Sequence, residues 1–237
     1  MTVAERLAVV REKVAEACHR ARRDPRGVRI IAVTKYVDLD AARDVLAAGC
    51  VDLGESRPQE LWRKSAALAD ADPAPRWHLI GHLQRNKVRR TLEVATLVHT
   101  LDSLRLMEAI DGEAARLGRP CDALVELNLV GDPGRSGVDD DGARHLLAAA
   151  AAHPHVRIRG LMGMAGVPEG PDPSDQARRQ FARLRGLRDR LQEEFPGQDL
   201  AELSMGMSGD YVEAILEGST LVRIGSALFE GMGPGGG

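Results

Sequence analysis

One lysine, Lys35, directly follows a short segment with the composition of a buried strand. The segment, I-I-A-V-T at residues 30–34, is mostly apolar and rich in β-branched residues. A primary amine at such a strand end can attack an aldehyde and form an imine with it. A lysine in this position is more often only solvated, so the interpretation of Lys35 depends on its neighbours.

Two turns near the end of the chain are rich in serine and glycine, and both are candidate phosphate sites. The first, S-M-G-M-S-G at residues 204–209, begins with Ser204 and precedes a predicted helix. The second follows the strand that carries Arg223 and contains Gly225 and Ser226. The free N–H groups at a helix start favour anions, although glycines in such turns also occur for conformational reasons alone.

An amine and a phosphate site together indicate a phosphorylated aldehyde as the ligand, and pyridoxal 5′-phosphate (PLP) is the common biological one. Imine formation requires a neutral amine. Burial of Lys35 and the nearby cation of Arg223 would both favour that neutral form. The sequence therefore predicts a PLP site in which Lys35 is the covalent anchor.

The remaining histidines and cysteines do not indicate a metal site. His78 and His82 form H-x-x-x-H on a predicted strand and turn, where this spacing does not align two ligands as it would on a helix. The cysteines, Cys18, Cys50 and Cys121, are odd in number and far apart, so neither a disulfide framework nor a zinc site is expected. This cysteine usage favours a reducing compartment.

The elements that would position these residues alternate regularly between strand and helix. Such alternation favours a parallel sheet, and eight units in about 200 residues are typical of a closed barrel. We predict an α/β fold, a single (β/α)8 TIM-type barrel with an extra N-terminal helix. A doubly wound open sheet is the alternative, but the glycine fingerprint expected after its first strand is missing. The predicted strands are 28–34, 50–56, 76–82, 95–102, 122–130, 156–164, 200–205 and 220–227, and the predicted helices are 2–23, 39–48, 58–69, 84–94, 103–117, 139–152, 174–194 and 209–217.

The barrel would bring the two chemical features together. Active residues in such barrels gather at the carboxyl ends of the strands, and the loops after strands seven and eight most often hold phosphate. Because the last strand closes against the first, Lys35 would lie next to the turn that contains Gly225 and Ser226.

Composition and charge argue against several classes of function. The chain has 32 basic and 35 acidic residues, a net charge of −3, and few aromatic residues (two Trp, two Tyr and three Phe), which argues against nucleic-acid binding. Frequent charges near the N-terminus argue against a signal peptide, and no apolar run is long enough for a membrane span. We predict a cytoplasmic protein with one domain at residues 1–230 and a flexible glycine-rich tail at 231–237.

Several separated motifs resemble one family, the pyridoxal-phosphate homeostasis proteins, also called proline synthetase co-transcribed proteins. The likeness spans nearly the whole chain, which makes it more specific than any short motif. The matching segments are A-V-T-K (32–35), G-E-S-R-P-Q-E (54–60), W-H-L-I-G-H-L-Q-R-N-K (77–87), G-R-S-G (134–137), G-L-M (160–162), L-S-M-G-M-S (203–208) and G-S-T-L-V-R-I-G-S-A-L-F (218–229).

The resemblance implies a barrel like the N-terminal domain of alanine racemase, the barrel of PLP fold type III, with PLP held as an internal aldimine on Lys35. It also implies that Ser204 and the turn at Gly225 and Ser226 hold the phosphate, and that Arg223 faces the pyridine nitrogen. An arginine there disfavours protonation of that nitrogen and makes the cofactor a weaker electron sink.

The chain departs from the family pattern at two positions near the implied site. Ser56 stands where the family usually has asparagine, so a hydroxyl replaces an amide as a cofactor contact. Arg135 stands where the family often has lysine, and its guanidinium does not form a stable imine. Any role that needs a second amine at position 135 is therefore not expected here.

Three functions are compatible with these residues: a PLP carrier, an amino-acid racemase of the alanine type, and a barrel that binds another phosphorylated metabolite. Two-base racemisation needs a proton carrier opposite the lysine, commonly a tyrosine. Strand geometry predicts that Tyr36 points away from Lys35, Tyr211 opens the helix after strand seven on the phosphate side, and the chain ends where a racemase begins its second domain. We therefore predict a non-enzymatic carrier that buffers PLP and delivers it to PLP-dependent apo-enzymes, acting as a monomer or weak dimer and without catalytic residues.

Overall fold

Eight parallel strands close into a barrel in the computed structural model, which describes residues 1–167 and 172–231. The strands are β1 (Arg29–Val33), β2 (Asp52–Glu55), β3 (Arg76–Leu79), β4 (Ala95–Leu101), β5 (Cys121–Leu127), β6 (Val156–Gly163), β7 (Glu202–Met207) and β8 (Leu221–Ile224). Each strand pairs with the next along the chain, and β8 returns to pair with β1, where Ile31 lies beside Arg223. The predicted (β/α)8 barrel is confirmed, and the open-sheet alternative is wrong because no strand of the sheet is left as an edge.

Helices lie between successive strands and cover the outside of the barrel. They are α1 (Val3–Arg20), α2 (Leu39–Ala47), α3 (Pro58–Ala67), α4 (Val88–Leu92), α5 (Leu104–Leu117), α6 (Asp140–Ala149), α7 (Pro173–Glu194), α8 (Tyr211–Leu216) and α9 (Ser226–Phe229). The predicted extra helix is α1, which a capping box starts: Thr2 Oγ1 accepts the N–H of Glu5 at 3.2 Å, and Glu5 Oε2 accepts the N–H of Thr2 at 2.8 Å. Helix α1 packs against α2, α8 and α9 and so seals the barrel where β8 meets β1.

The predicted elements differ from the observed ones mainly at their ends. The helix predicted at 84–94 is a 3₁₀ turn followed by α4, and α9 was not predicted. The strand predicted at 122–130 ends at Leu127 because the next residue closes a turn. Asn128 Nδ2 donates to Asp132 O at 2.7 Å, and Asn128 Oδ1 accepts from Gly131 N at 3.0 Å.

Two apolar clusters hold the described part of the chain together. The larger one fills the space between the barrel and the helices. The smaller one lies inside the barrel and consists of Ile31, Leu97, Leu124, Met162 and Leu221. These five residues come from β1, β4, β5, β6 and β8, so they form one apolar layer across the barrel, and much of the rest of the interior is polar.

The predicted tail at 231–237 lies, except for Gly231, outside the described residues. Within residues 1–167 and 172–231, none of the helices combines the length and the apolar character that crossing a membrane requires.

Candidate cofactor site

Lys35 lies in the turn that follows β1, at the barrel mouth, the end where the carboxyl ends of the strands emerge. Its side chain is exposed, so the burial expected from the sequence is wrong for this residue. Its Nζ lies 4.7 Å from the ring centroid of Tyr36, a cation–π contact. The expectation that Tyr36 points away from Lys35 is therefore also wrong, because both residues lie beyond the end of the strand, where side chains no longer alternate.

A buried ion pair lies directly beneath this turn. Lys64, on α3, is 1% exposed and Glu55, the last residue of β2, is fully buried. Lys64 Nζ donates to Glu55 Oε1 at 2.6 Å and also to two backbone oxygens, Thr34 O at 2.6 Å and Val37 O at 3.0 Å. The ammonium therefore uses its three hydrogens on one carboxylate oxygen and on two carbonyls that flank Lys35 in the turn.

The pair fixes the backbone from which Lys35 projects. Thr34 Oγ1 donates to Glu55 Oε1 at 2.7 Å, and Val37 N closes the turn on Thr34 O at 3.1 Å. Sequence analysis missed both members of the pair. The available signal was Lys64 itself, which stands between Leu61 and Leu68 at steps of three and four, where an amphipathic helix carries its apolar stripe.

Arg223, on β8, lies inside the barrel below the mouth and is 4% exposed. Its Nη1 donates to Ser204 Oγ at 2.6 Å and to Ser204 O at 2.8 Å, and its Nη2 donates to Gly163 O at 3.1 Å. Burial lowers the pKa of this guanidinium to about 10, and the carboxylates of Asp210 and Glu126 oppose that shift. The cation is thus held in one orientation by β6 and β7.

The turn after β8 directs two backbone N–H groups at one oxygen. Gly225 N and Ala227 N lie 3.1 and 3.2 Å from Ser208 Oγ, at the start of α9. Two donors that converge on one oxygen are the arrangement that a phosphate oxygen requires. Gly225 also packs on β1, since a Cβ placed there would lie 3.6 Å from Val33 Cβ. The strand that ends at Lys35 and this turn are therefore side by side.

The structure separates the two serines of the first predicted phosphate turn. Ser204 is fully buried, and its hydroxyl lies between Arg223 and the ring of His99, whose Nδ1 is 2.9 Å away. Ser208 is the serine whose hydroxyl meets the turn after β8, while Ser226 is exposed at the start of α9. The predicted contact of Ser204 with phosphate stays a prediction, and the geometry adds Ser208 as a candidate.

Ser56 is half-buried just after β2, at the same mouth. Its backbone touches the end of β3 closely, because a Cβ at Gly81 would lie 2.2 Å from Ser56 O. Only glycine fits at position 81 in this arrangement. The predicted cofactor contact of Ser56 stays untested, but the strand end that presents it is fixed by this close approach.

Arg135 lies in the loop after β5, away from β1. It lines a cavity of about 310 Å³ together with Ala165, Met207 and Asp210, among others. Its Nη1 is 3.5 Å from Ala165 O. The residue that replaces the usual lysine of the family pattern therefore faces the loops after β6 and β7 rather than the turn of Lys35.

Glu126, on β5, is a buried carboxylate near Arg223 and is 3% exposed. Ser136 Oγ donates to its Oε1 at 2.6 Å, while its Oε2 has no hydrogen-bond partner among the described residues. Burial raises the pKa of Glu126, although the hydrogen bond from Ser136 partly opposes the shift. The mouth thus contains an exposed amine, a buried cation, converging N–H donors and an acceptor with unused capacity, and these groups fit a phosphorylated aldehyde with a ring nitrogen.

The amino-acid sequence is similar to those of one family of known proteins. The family model described as "Alanine racemase, N-terminal domain" matches residues 6–232. A pyridoxal phosphate homeostasis protein from Aquifex aeolicus is 37% identical over 229 residues, which are 97% of this chain and 98% of that protein.

Solved structures agree in fold. PipY from Synechococcus elongatus, solved with PLP bound, is 37% identical with a TM-score of 0.83, and the match covers 96% of this chain and 100% of that one. An alanine racemase from Streptomyces coelicolor is 23% identical with a TM-score of 0.66 and matches 94% of this chain but 58% of its own. The second likeness shows the fold alone and confirms the predicted similarity to the racemase barrel.

Replacing Lys64 by methionine leaves Glu55 buried without its cation. We expect the free energy of unfolding to fall by about 3–5 kcal/mol, measured by chemical denaturation. The matched control is Arg63→Met on the same helix, where the ion pair with Glu60 is solvent-exposed and the expected loss is about 1 kcal/mol or less. Equal stability of the two variants would show that the buried pair does not support the turn.

Replacing Glu126 by glutamine tests the cost of the buried carboxylate. Since the folded-state pKa of Glu126 is raised, the folded wild type holds its proton more tightly than the unfolded chain and loses stability as pH rises through that interval. The glutamine variant should therefore gain stability relative to wild type as pH rises from about 4 to 8. The measurement is the free energy of unfolding of both proteins across this pH range, with Glu108→Gln at an exposed position as control. A stability difference that moves in favour of wild type as pH rises would contradict the raised pKa of Glu126.

Proposed function

The chain belongs to the pyridoxal phosphate homeostasis proteins within the alanine racemase N-terminal domain family, and from this premise we propose that it is a carrier of PLP. In this proposal the protein binds PLP reversibly through Lys35, buffers the reactive aldehyde and delivers it to PLP-dependent apo-enzymes. The observation that carries the proposal is the pairing of an exposed amine after β1 with converging N–H donors after β8 at one mouth.

Lys35 is the lysine best placed for a covalent link. The chain has four lysines, Lys13, Lys35, Lys64 and Lys87. Lys64 is buried and fully engaged with its acceptors. Lys13 lies on the outer face of α1, and Lys87 lies in the 3₁₀ turn after β3. Among these, Lys35 alone follows β1 and therefore lies next to the turn after β8.

Each group at the mouth has a distinct part in the proposed binding. Bound PLP would supply an aldehyde, and Lys35 would hold it covalently through its neutral amine in a link that water can reverse. The N–H groups of Gly225 and Ala227, with the hydroxyls near them, hold the phosphate. Arg223 would hold the ring nitrogen by donating a hydrogen bond to it, which favours an unprotonated nitrogen.

The residues around Lys35 favour a carrier over a racemase. The chain has two tyrosines, Tyr36 and Tyr211. Tyr36 lies against Lys35 itself, and Tyr211 is packed into the core at the start of α8. Neither is opposite Lys35, where the second proton carrier of a two-base mechanism belongs. The exposure of Lys35 gives water and acceptor proteins access to the link, as reversible release requires.

Lys35→Ala tests the anchor. We expect wild-type protein mixed with PLP to develop a visible imine absorption, and borohydride reduction to leave a modification that maps to Lys35. The alanine variant should lose both signals because the mouth then has no amine. The matched control, Lys87→Ala, should keep both. An unchanged spectrum in Lys35→Ala would remove Lys35 from the site.

Formation of D-amino acids tests the class of function. We expect the PLP-loaded protein to produce no D-isomer from L-alanine or L-serine at ordinary enzymatic rates, because neither tyrosine lies opposite Lys35. Chiral chromatography of long incubations provides the measurement, with an alanine racemase as positive control. Sustained production of D-isomers would contradict the carrier function and support the racemase function.

A further inference from the structure

A continuous chain of hydrogen bonds, buried except at the exposed Arg76, crosses the barrel and ends at Arg223. At the other end, Arg76 binds Asp52 through two contacts, Nε to Oδ1 at 2.9 Å and Nη2 to Oδ2 at 2.6 Å. From there the links are Asp52 Oδ1 to His78 Nε2 at 2.9 Å, His78 Nδ1 to His99 Nε2 at 3.0 Å, His99 Nδ1 to Ser204 Oγ at 2.9 Å, and Ser204 Oγ to Arg223 Nη1 at 2.6 Å.

The chain runs through the interior of the barrel. Asp52, His78, His99 and Ser204 are 5%, 2%, 0% and 0% exposed. The first three lie on β2, β3 and β4, whereas Ser204 lies on β7, which is not a neighbour of β4. The bond between His99 and Ser204 therefore spans the barrel. At the lower end, Asp52 and Arg76 line a cavity of about 340 Å³ at the amino ends of the strands.

With both imidazoles neutral, hydrogen-bond chemistry gives every link one direction. Asp52 is an acceptor, since hydrogen bonds from His78 and Arg76 outweigh burial and lower its pKa. His78 must then donate from Nε2, and as a neutral ring it accepts at Nδ1. His99 consequently donates from Nε2 to His78 and accepts at Nδ1. The hydroxyl of Ser204 donates its hydrogen bond to His99 Nδ1, and its oxygen accepts a hydrogen bond from Arg223 Nη1.

The electrostatics of His99 agree with this direction. Burial lowers the pKa of His99 well below the ordinary value of histidine, and the nearby cation of Arg223 lowers it further. A neutral ring has one donor and one acceptor nitrogen, which matches its two partners. Donors and acceptors thus alternate without a break from Arg223 to Asp52, and both ends of the chain are arginine side chains.

We propose that His78 and His99, each in the Nε2–H tautomer, are positioning residues that hold Ser204 and through it fix Arg223 toward the cofactor ring. The proposal rests on the proposed function, because it assigns the target of Arg223. Each link donates toward Asp52, so the Ser204 oxygen is oriented as an acceptor for Arg223 and cannot release it by turning its proton around. The orientation of Arg223 is thereby set by two histidines that act on it through Ser204.

A polar network that only filled the barrel interior would not need to end at Arg223. The apolar layer formed by Ile31, Leu97, Leu124, Met162 and Leu221 shows that the barrel interior accepts aliphatic side chains. Replacing buried polar networks by apolar residues of similar volume is often neutral or stabilising. The polar chain instead leads to the Ser204 hydroxyl, the side-chain acceptor that holds Arg223 together with the carbonyls of Ser204 and Gly163.

The tautomers are tested first, in protein without cofactor. Nitrogen-15 NMR of histidine-labelled wild type at neutral pH separates protonated from unprotonated ring nitrogens, and we expect Nε2–H on both His78 and His99. Ser204→Ala should shift the Nδ1 resonance of His99 because that nitrogen loses its donor. Ser219→Ala, another buried serine of the barrel that bonds only to backbone oxygens, should leave it unchanged. An Nδ1–H tautomer or a doubly protonated ring on His99 overturns the proposal.

Cofactor binding is tested with two substitutions of one residue. His99→Leu removes the acceptor for Ser204, and we expect the dissociation constant for PLP to rise about tenfold with the borohydride adduct still on Lys35. His99→Asn keeps an acceptor oxygen near the Nδ1 position and should recover most of that loss, while Ser219→Ala should bind as wild type does. Equal affinity of His99→Leu and wild type overturns the positioning role.

The two experiments separate the two proposals. If wild type takes up no PLP, the carrier function fails, whereas the NMR result still decides whether the hydrogen-bond direction is correct. If wild type binds PLP on Lys35 and His99→Leu binds it equally well, the carrier function stands and the positioning role fails.

Discussion

The buried pair of Lys64 and Glu55 is the interaction on which the anchor position depends. Moving an ammonium and a carboxylate out of water costs several kcal/mol per ion, and only close geometry with further hydrogen bonds offsets this cost. Lys64 meets that condition by donating to Glu55 and to the carbonyls of Thr34 and Val37. The same bonds define the turn of Lys35, so α3 and β2 determine where the amine projects although Lys35 belongs to neither.

The interior of the barrel contains one layer of apolar side chains and a set of hydrogen-bonded polar side chains. One layer of five aliphatic and methionine side chains closes the inside, and the larger apolar cluster lies between strands and helices. Stability therefore comes mainly from the outside of the barrel. This leaves the inside of the barrel available for the hydrogen bonds that run from Asp52 to Arg223. Burying the polar histidine rings costs free energy, and this cost is easier to bear where the interior does not supply most of the stability.

Sequence patterns predicted what depends on local periodicity and strand order. The eight alternating units led to the barrel, and barrel closure led to the adjacency of the Lys35 turn and the turn at Gly225. Patterns did not reveal partners that meet across the barrel, such as His99 on β4 and Ser204 on β7, because non-adjacent strands have no fixed spacing along the chain. The exposure of Lys35 was also missed, since it follows from a turn that the distant Lys64 shapes. A polar residue inside an apolar strand, as in L-V-H-T-L, was the available signal for His99.

The two basic side chains of the site have different parts in the proposed binding: Lys35 attaches the cofactor and Arg223 orients its ring. Lys35 is exposed and, among the residues that the structure describes, contacts the ring of Tyr36, which suits an amine that must form and release a covalent link. Arg223 is buried and fixed by Ser204 and Gly163, which suits a group that must present one donor in one direction. In the proposed function, a fixed contact to the ring and an exposed anchor suit storage and exchange of the aldehyde.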